Sequence, residues 1–221
     1  MIATVKSGAI VGIEAYLVQV EVDVASRGLP KFSIVGLPEV AVRESKERVR
    51  TAILNTGFPF PQRRITVNLA PANRKKAGTA FDLPIALGIL CAMNQWDNDA
   101  LDELLFVGEL SLDGLVRPIR GVLSLAMMAK QEGLRGVVVP EPNAQEAAVV
   151  DEVNVHHVAS LSAATQFMAG ATELPTQQVD RESIFLEPTA GRTDLADVKG
   201  QALAKRAVLI AAAGDHNLLM L

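Results

Sequence analysis

Phe106-Val-Gly-Glu-Leu-Ser-Leu-Asp-Gly-Leu-Val-Arg-Pro-Ile-Arg-Gly-Val-Leu123 sets two short apolar runs around an Asp-Gly pair and then opens a helix. Asp113-Gly114 between 109–112 and 115–117 predicts a hairpin, because Asp-Gly supplies the positive φ angles of a tight primed turn. Outward from the hairpin on its C-terminal side, 122–132 reads as a helix stopped by Gly133 and 136–139 as a strand ended by Pro140. A helix over 142–150, a strand over 153–158 and a helix over 161–169 follow, each bounded by its own breakers.

On the N-terminal side, 18–24 reads Val-Gln-Val-Glu-Val-Asp-Val, a period of two that predicts a strand with one dry face. Residues 11–17 extend that strand or supply its hairpin partner. A short strand over 32–35 is closed by Gly36. Pro38 and Gly57 bracket a helix over 39–55. Its apolar face is Val42, Val49 and Ile53, and Glu44 and Arg48 are spaced i,i+4 for a surface pair. Residues 65–69 alternate again, and 70–79 form a polar loop. Asp82 is expected to cap an apolar helix that carries Pro84 in its first turn and runs to about Met93. The acidic stretch 97–103 is expected to be a surface connection, with Trp96 capping the domain edge. Strands first and βαβ units after predict one α/β (α+β) domain over 1–170.

Thr, Gln, Glu and Pro dominate 170–192, so 171–193 reads as a linker. From Asp194 a new unit begins, with an apolar helix over 202–213 halted by Gly214 and a buried-type strand over 217–221. A chain that ends inside an apolar strand is expected to continue past Leu221. Residues 194–221, without the rest of such a sheet, are expected to fold poorly by themselves.

The composition excludes several classes. Of 221 residues 49% are apolar and 21% charged, which rules out global disorder. Cys91 is the single cysteine, so there is no disulfide framework and no thiolate zinc site. The N-terminus lacks the pattern of a signal peptide and no run is long enough for a membrane helix. A cytoplasmic protein without a membrane partner is expected. His156 and His157 are adjacent, so on a strand they face opposite ways and cannot share a metal ion.

Charge is distributed unevenly. From Arg48 to Phe81 there is no acidic residue, and Arg48, Arg50, Arg63, Arg64, Arg74, Lys75 and Lys76 give this window +7 in a chain of net −4. Arg43, Lys46 and Arg50 also fall on one stripe of the preceding helix. Such a block can hold phosphates by charge alone. It can equally be an ordinary solvated face: its cations come in runs and do not alternate with rings that stack bases. The 73–79 loop, ahead of a helix start, is either an anion site or a plain β-to-α turn. It is not a phosphate-binding P-loop.

Residues 106–123, with Gly133-Leu-Arg-Gly-Val-Val-Val-Pro, resemble the proteolytic domain of Lon and the Lon-like domain of RadA, which share the fold of ribosomal protein S5 domain 2. The resemblance covers roughly 68–161 and implies that fold here. Lon-type peptidases use a serine and a lysine of lowered pKa. Those positions fall on Ala80 and Leu123, neither of which can do the chemistry. Thr79 and Ser124 lie one place away, which keeps a Lon-like serine peptidase open only as a rival. Catalytic residues are therefore expected to be none.

Residues 194–221 are similar to the entry of the AAA+ module of magnesium-chelatase-like ATPases, in particular the ComM (YifB) competence family, and the N-terminal segment is of this type too. The resemblance implies an ATP- and Mg²⁺-dependent motor on DNA, a hexamer acting as a branch-migration helicase in natural transformation and recombination. Within it this chain is a non-proteolytic scaffold or DNA-contacting domain followed by the start of an AAA+ module. Arg63, Arg64, Arg74, Lys75 and Lys76 would contact single-stranded or branched DNA. Val198, Gly200 and Gln201 match the segment lining the adenine pocket, but the phosphate loop would lie past Leu221. No cofactor is expected in these 221 residues. An ATPase subunit of a metal chelatase is a further alternative.

Overall fold

Val18, Val20, Val22 and Val24 line one face of strand Glu14–Val24 (β2), none more than 6% exposed, while Gln19 on the other face meets solvent. β2 pairs antiparallel with Ile2–Val11 (β1), Val11 lying opposite Glu14. The period-two pattern therefore breaks at Gly12, whose φ of 65° opens the turn. The computed structural model describes residues 2–94, 99–179 and 194–220. The chain divides into two compact units, Met1–Val179 and Asp180–Leu221, each taken by itself below.

In the first unit, Lys31–Val35 (β3), Val40–Asn55 (α1), Arg64–Ala70 (β4), Asp82–Asn94 (α2), Asp99–Glu103 (α3) and Leu104–Phe106 (β5) follow the hairpin. Then come Glu109–Leu110 (β6), Val116–Arg117 (β7), Val122–Gln131 (α4), Gly136–Pro140 (β8), Ala144–Ala147 (α5), Asn154–Val158 (β9), Leu161–Met168 (α6) and Thr176–Gln177 (β10). Eight strands form one sheet in the order β10-β9-β8-β5-β1-β2-β4-β3, and β6 and β7 make a separate pair. The β3–β4, β1–β5, β5–β8 and β8–β9 pairings are parallel, the others antiparallel. Parallel neighbours need crossover connections, which α1 supplies between β3 and β4 and α5 between β8 and β9. One core packs α1, α2 and α6 on the sheet; a second packs α4 and α5 on its other face beneath β5, β8 and β9.

Several expectations are corrected. Asp113-Gly114 is not a primed two-residue turn. Only Gly114 has positive φ, 84°, and Gly114 N–H donates to Ser111 O (2.9 Å), as in a type I turn closed by a left-handed glycine. The helix expected over 142–150 is shorter: a 3₁₀ turn, Glu141–Asn143, precedes α5, and the Asn143 amide grips Ile119 through N–H (2.9 Å) and C=O (3.0 Å). Part of the expected linker is sheet, since β10 pairs with β9 and Leu174 is buried. Residues 99–103 are helical and Leu101 is buried, so they are not merely a surface connection. Trp96, residues 97–98 and the rest of the linker at 180–193 lie outside the described residues.

Asp82 is the first residue of α2 rather than its N-cap, and it is fully buried. Its carboxylate accepts from Arg48 Nε at 2.7 Å and Nη2 at 3.0 Å, and from Leu110 N–H at 3.3 Å. Arg48 thus turns inward to a residue 34 positions away instead of forming the expected surface pair with Glu44. Burial is the larger influence on Asp82 and raises its pKa to about 6 against the pull of Arg48; the hydrogen bond to Asp82 in turn raises the pKa of Arg48.

In the second unit, Leu195–Asp197 forms a 3₁₀ turn and Ala202–Ala213 (α7) a helix. The strand expected over 217–221 does not form in 217–220, which have no regular structure and are exposed; Leu221 lies outside the described residues.

Arg48→Met leaves a buried carboxylate with one backbone donor, and a loss of about 3 to 5 kcal/mol is expected at pH 8. Without Arg48, which lowers the Asp82 pKa against burial, the carboxyl of the variant takes up a proton at higher pH than the native about 6, so the loss shrinks as pH falls toward 6. Urea denaturation at pH 5 and pH 8 checks this, and equal losses at both would contradict it. At Gly36, φ is 96° and an added Cβ would lie 2.3 Å from Leu69 O. Gly36→Ala should therefore cost at least about 2 kcal/mol. The Gly12→Ala control, with nothing within 4 Å, should cost about 1 kcal/mol. Equal losses would show that the close approach is not a constraint.

Candidate functional site

The acid-free window is split by the strand that runs through it. Arg63 and Arg64 stand at the start of β4, and Arg74 and Lys75 follow its end, about 20 Å away along a strand rising about 3.3 Å per residue. All four are exposed. Arg64 lies opposite Lys31 in the β3–β4 register. The α1 helix runs back between the two ends, with Arg43, Lys46 and Arg50 spaced over about 10 Å. Arg43 and Lys75 share one shallow depression, and Lys31, Lys46, Arg50 and Arg63 share a cleft at the opposite end.

Lys76 does not belong to this surface. It is fully buried, and its ammonium donates to Pro71 O and, at 2.9 Å, to Arg74 O. The Lys76 N–H donates to Leu37 O (3.2 Å) and its C=O accepts from Glu39 N–H (2.9 Å). The residue thus holds the 71–76 loop against the start of α1, a structural task in place of the expected DNA contact. Burial, then the charge of Arg74, lowers its pKa. Arg48, also counted in the window, is spent on Asp82. Arg74 lies 4.8 Å from the centroid of the Tyr16 ring, and Tyr16 Oη donates to Lys75 O at 2.8 Å, which pins the loop that presents both cations. Burial raises the Tyr16 pKa, opposed by Arg74.

A second cleft, of roughly 420 Å³, occupies the place where the Lon resemblance puts the nucleophile. Gly8, Ala9, Ile10, Thr79, Ala80, Glu109 and Arg120 are among its walls. Ala80 is locked there by Gly108 N–H donating to its carbonyl at 2.9 Å, and it offers a methyl group to the cleft. Leu123 lies on α4, 39% exposed, and is not part of the lining. Thr79 Oγ1 donates to the Glu109 carboxylate. Ser124 Oγ donates to Ile13 O (2.7 Å) and lines a different depression with Met127. The two hydroxyls are not brought together, and among the described residues no lysine lines either cleft.

His156 and His157 sit on β9 as expected. His156 stacks on Phe167 with 6.4 Å between centroids, and burial lowers its pKa. In the second unit Val198 is 39% exposed, and Gly200 (φ 66°) and Gln201 (φ 52°) are consecutive left-handed residues leading into α7. Asp194 caps the preceding turn, accepting from Ala196 N–H at 2.7 Å.

The sequence reading missed two rings in the basic region. Phe32 and Phe60 meet at 5.9 Å between centroids, and the Arg50 guanidinium lies 6.0 Å from the Phe60 centroid. The available signal was Phe58-Pro-Phe-Pro-Gln-Arg-Arg64, which sets a ring three residues before the paired arginines.

Comparisons with known proteins agree on one group. The family model for "Subunit ChlI of Mg-chelatase" matches residues 20–143, and that for "Magnesium chelatase, subunit ChlI" matches residues 194–221. Competence protein ComM of Haemophilus influenzae is 44% identical over 221 residues, covering all of this chain and 43% of that protein. YifB of Escherichia coli is 39% identical over 224 residues, covering 100% of this chain and 42% of that protein. Lon protease 2 of Bacillus subtilis is 33% identical over 101 residues, 46% of this chain and 18% of that protein, in keeping with the mixed sheet and a Lon-like α/β fold. The chain spans less than half the length of the ComM and YifB proteins it matches. It belongs to the ChlI family of magnesium-chelatase subunits, in the group that includes ComM and YifB.

Proposed function

We propose that this chain is the N-terminal, non-proteolytic part of an ATP-driven, ring-forming motor that acts on DNA in recombination and the uptake of transforming DNA. The unit Met1–Val179, with β10 at its sheet edge, forms its Lon-like platform, and 194–221 form the entry to the AAA+ module. The observation that carries the proposal is 44% identity across the whole chain to a protein named for competence. In this reading the exposed Arg63, Arg64, Arg74 and Lys75 hold DNA phosphates, and Lys76 shapes the loop that presents two of them. The motor is a hexamer of the cytoplasm; among the described residues no helix is long and apolar enough to cross a membrane.

ATP and Mg²⁺ would serve the full-length protein. The 221 residues contain no glycine-rich loop ending in Gly-Lys-Ser or Gly-Lys-Thr, so they do not by themselves make a phosphate cradle. Val198, Gly200 and Gln201 would contribute only to the base-binding side, where the left-handed pair at 200–201 fixes the chain's entry into α7. A chelatase subunit is the second reading, favoured by the description of the matching family. It predicts capture of a metallation partner instead of a response to DNA.

The full-length protein is expected to hydrolyse ATP faster when forked DNA is added. The Arg74→Gln, Lys75→Gln variant should bind forked DNA more weakly, with a salt slope shallower by about 2 for two lost phosphate contacts. Unchanged affinity and slope would overturn the role of this loop, and ATP hydrolysis indifferent to DNA would overturn the motor reading.

A further inference from the structure

We propose that the cleft between α1 and the start of β3 is a binding site for single-stranded nucleic acid, which seats an unstacked base against Phe60 and flanking phosphates on Lys31, Lys46, Arg50 and Arg63. This rests on the DNA reading above and names the site. The cleft has a volume of roughly 300 Å³, and among the described residues Glu47 is the one carboxylate in its walls beside the four cations. Three separate segments bring those cations together. β3 begins at Lys31, α1 sets Lys46 and Arg50 one turn apart, and Arg63 precedes β4, the parallel partner of β3. Gathering four like charges around one opening costs free energy in the free protein, and a polyanion removes that cost.

The rings distinguish this cleft from a plain basic face. Phe32 shares the core-facing side of β3 with buried Ile34 and meets Phe60 at a tilt of 43°. Phe60 packs partly on the core from the segment Pro59–Pro61, which borders a cleft on each side. A second cleft, of roughly 470 Å³, lies across the Pro59–Arg63 ridge, with Val24, Ser26 and Met93 in its walls. Phe60 and Arg63 line both. The Arg50 guanidinium lies 6.0 Å from the Phe60 centroid, a cation–ring contact that a base stacking on Phe60 would replace, which frees Arg50 as a phosphate partner. A paired duplex presents no base face to a ring in a cleft, whereas a single strand does. From here the stripe Arg50, Lys46, Arg43 leads along α1 to Lys75, a path for the backbone on either side of the seated base.

The test is binding of a labelled oligothymidylate to the 221-residue chain, compared with an abasic strand of equal length and with a duplex. The expected order is oligothymidylate tightest. Phe60→Leu, which keeps apolar packing, should weaken oligothymidylate binding between about fivefold and a hundredfold and leave abasic-strand binding unchanged. Arg50→Gln and Arg63→Gln should weaken both strands and lower the salt slope by about 0.7 each. If Phe60→Leu keeps its urea midpoint and binds oligothymidylate as before, the cleft is not the site. If, in addition, Arg74→Gln, Lys75→Gln reduces binding, the DNA reading stands and only this site is overturned. If the unmodified chain binds neither single strand nor duplex, both fall.

Discussion

A buried guanidinium–carboxylate pair decides how the helices of this fold sit. Arg48 of α1 and Asp82 of α2 meet in a two-pronged contact from which water is excluded on the carboxylate side, and Leu110 N–H completes it from β6. Arg48 also donates to Ala41 O at 3.2 Å, so the pair holds α1 to itself, to α2 and to the hairpin at once. An unpartnered carboxylate there would be costly, which limits α1 to positions that keep its partner in place. The basic stripe of Arg43, Lys46 and Arg50 lies on this helix, so the orientation of the charged surface depends on the ion pair beneath it.

Much of the fold was legible because it is written in local periodicity. The dry face of β2, the apolar face of α1 and the stops at Gly36, Gly57 and Gly133 all follow from spacing and from where positive φ is needed. Tertiary choices were not legible. Glu44 is the local partner that helical spacing offers Arg48, but Asp82 wins because its buried carboxylate has no water to fall back on. Lys76 looks like one more surface cation in a run of three; the carbonyls of Pro71 and Arg74, turned toward each other by the loop, draw its ammonium inward. Phe60 stood close to the paired arginines in sequence, yet only the packing of β3 against the 58–63 segment brings Phe32 to it.

The two clefts divide the roles of the molecule. The cleft at the place of the Lon nucleophile has Ala80 in its wall and Thr79 engaged with Glu109, while Leu123 stands outside its lining. At the opposite end of the fold's charged face, four cations surround an opening whose two rings, Phe32 and Phe60, also pack on the first core.

Mapping of backbone amide shifts by nuclear magnetic resonance, as oligothymidylate is added to the chain, tests the central claim most directly. The account predicts changes concentrated at 31–35, 43–50 and 59–64, with little movement at 77–80 and 118–120. Changes centred on the peptidase-like cleft, with the α1 and β3 amides still, would contradict it.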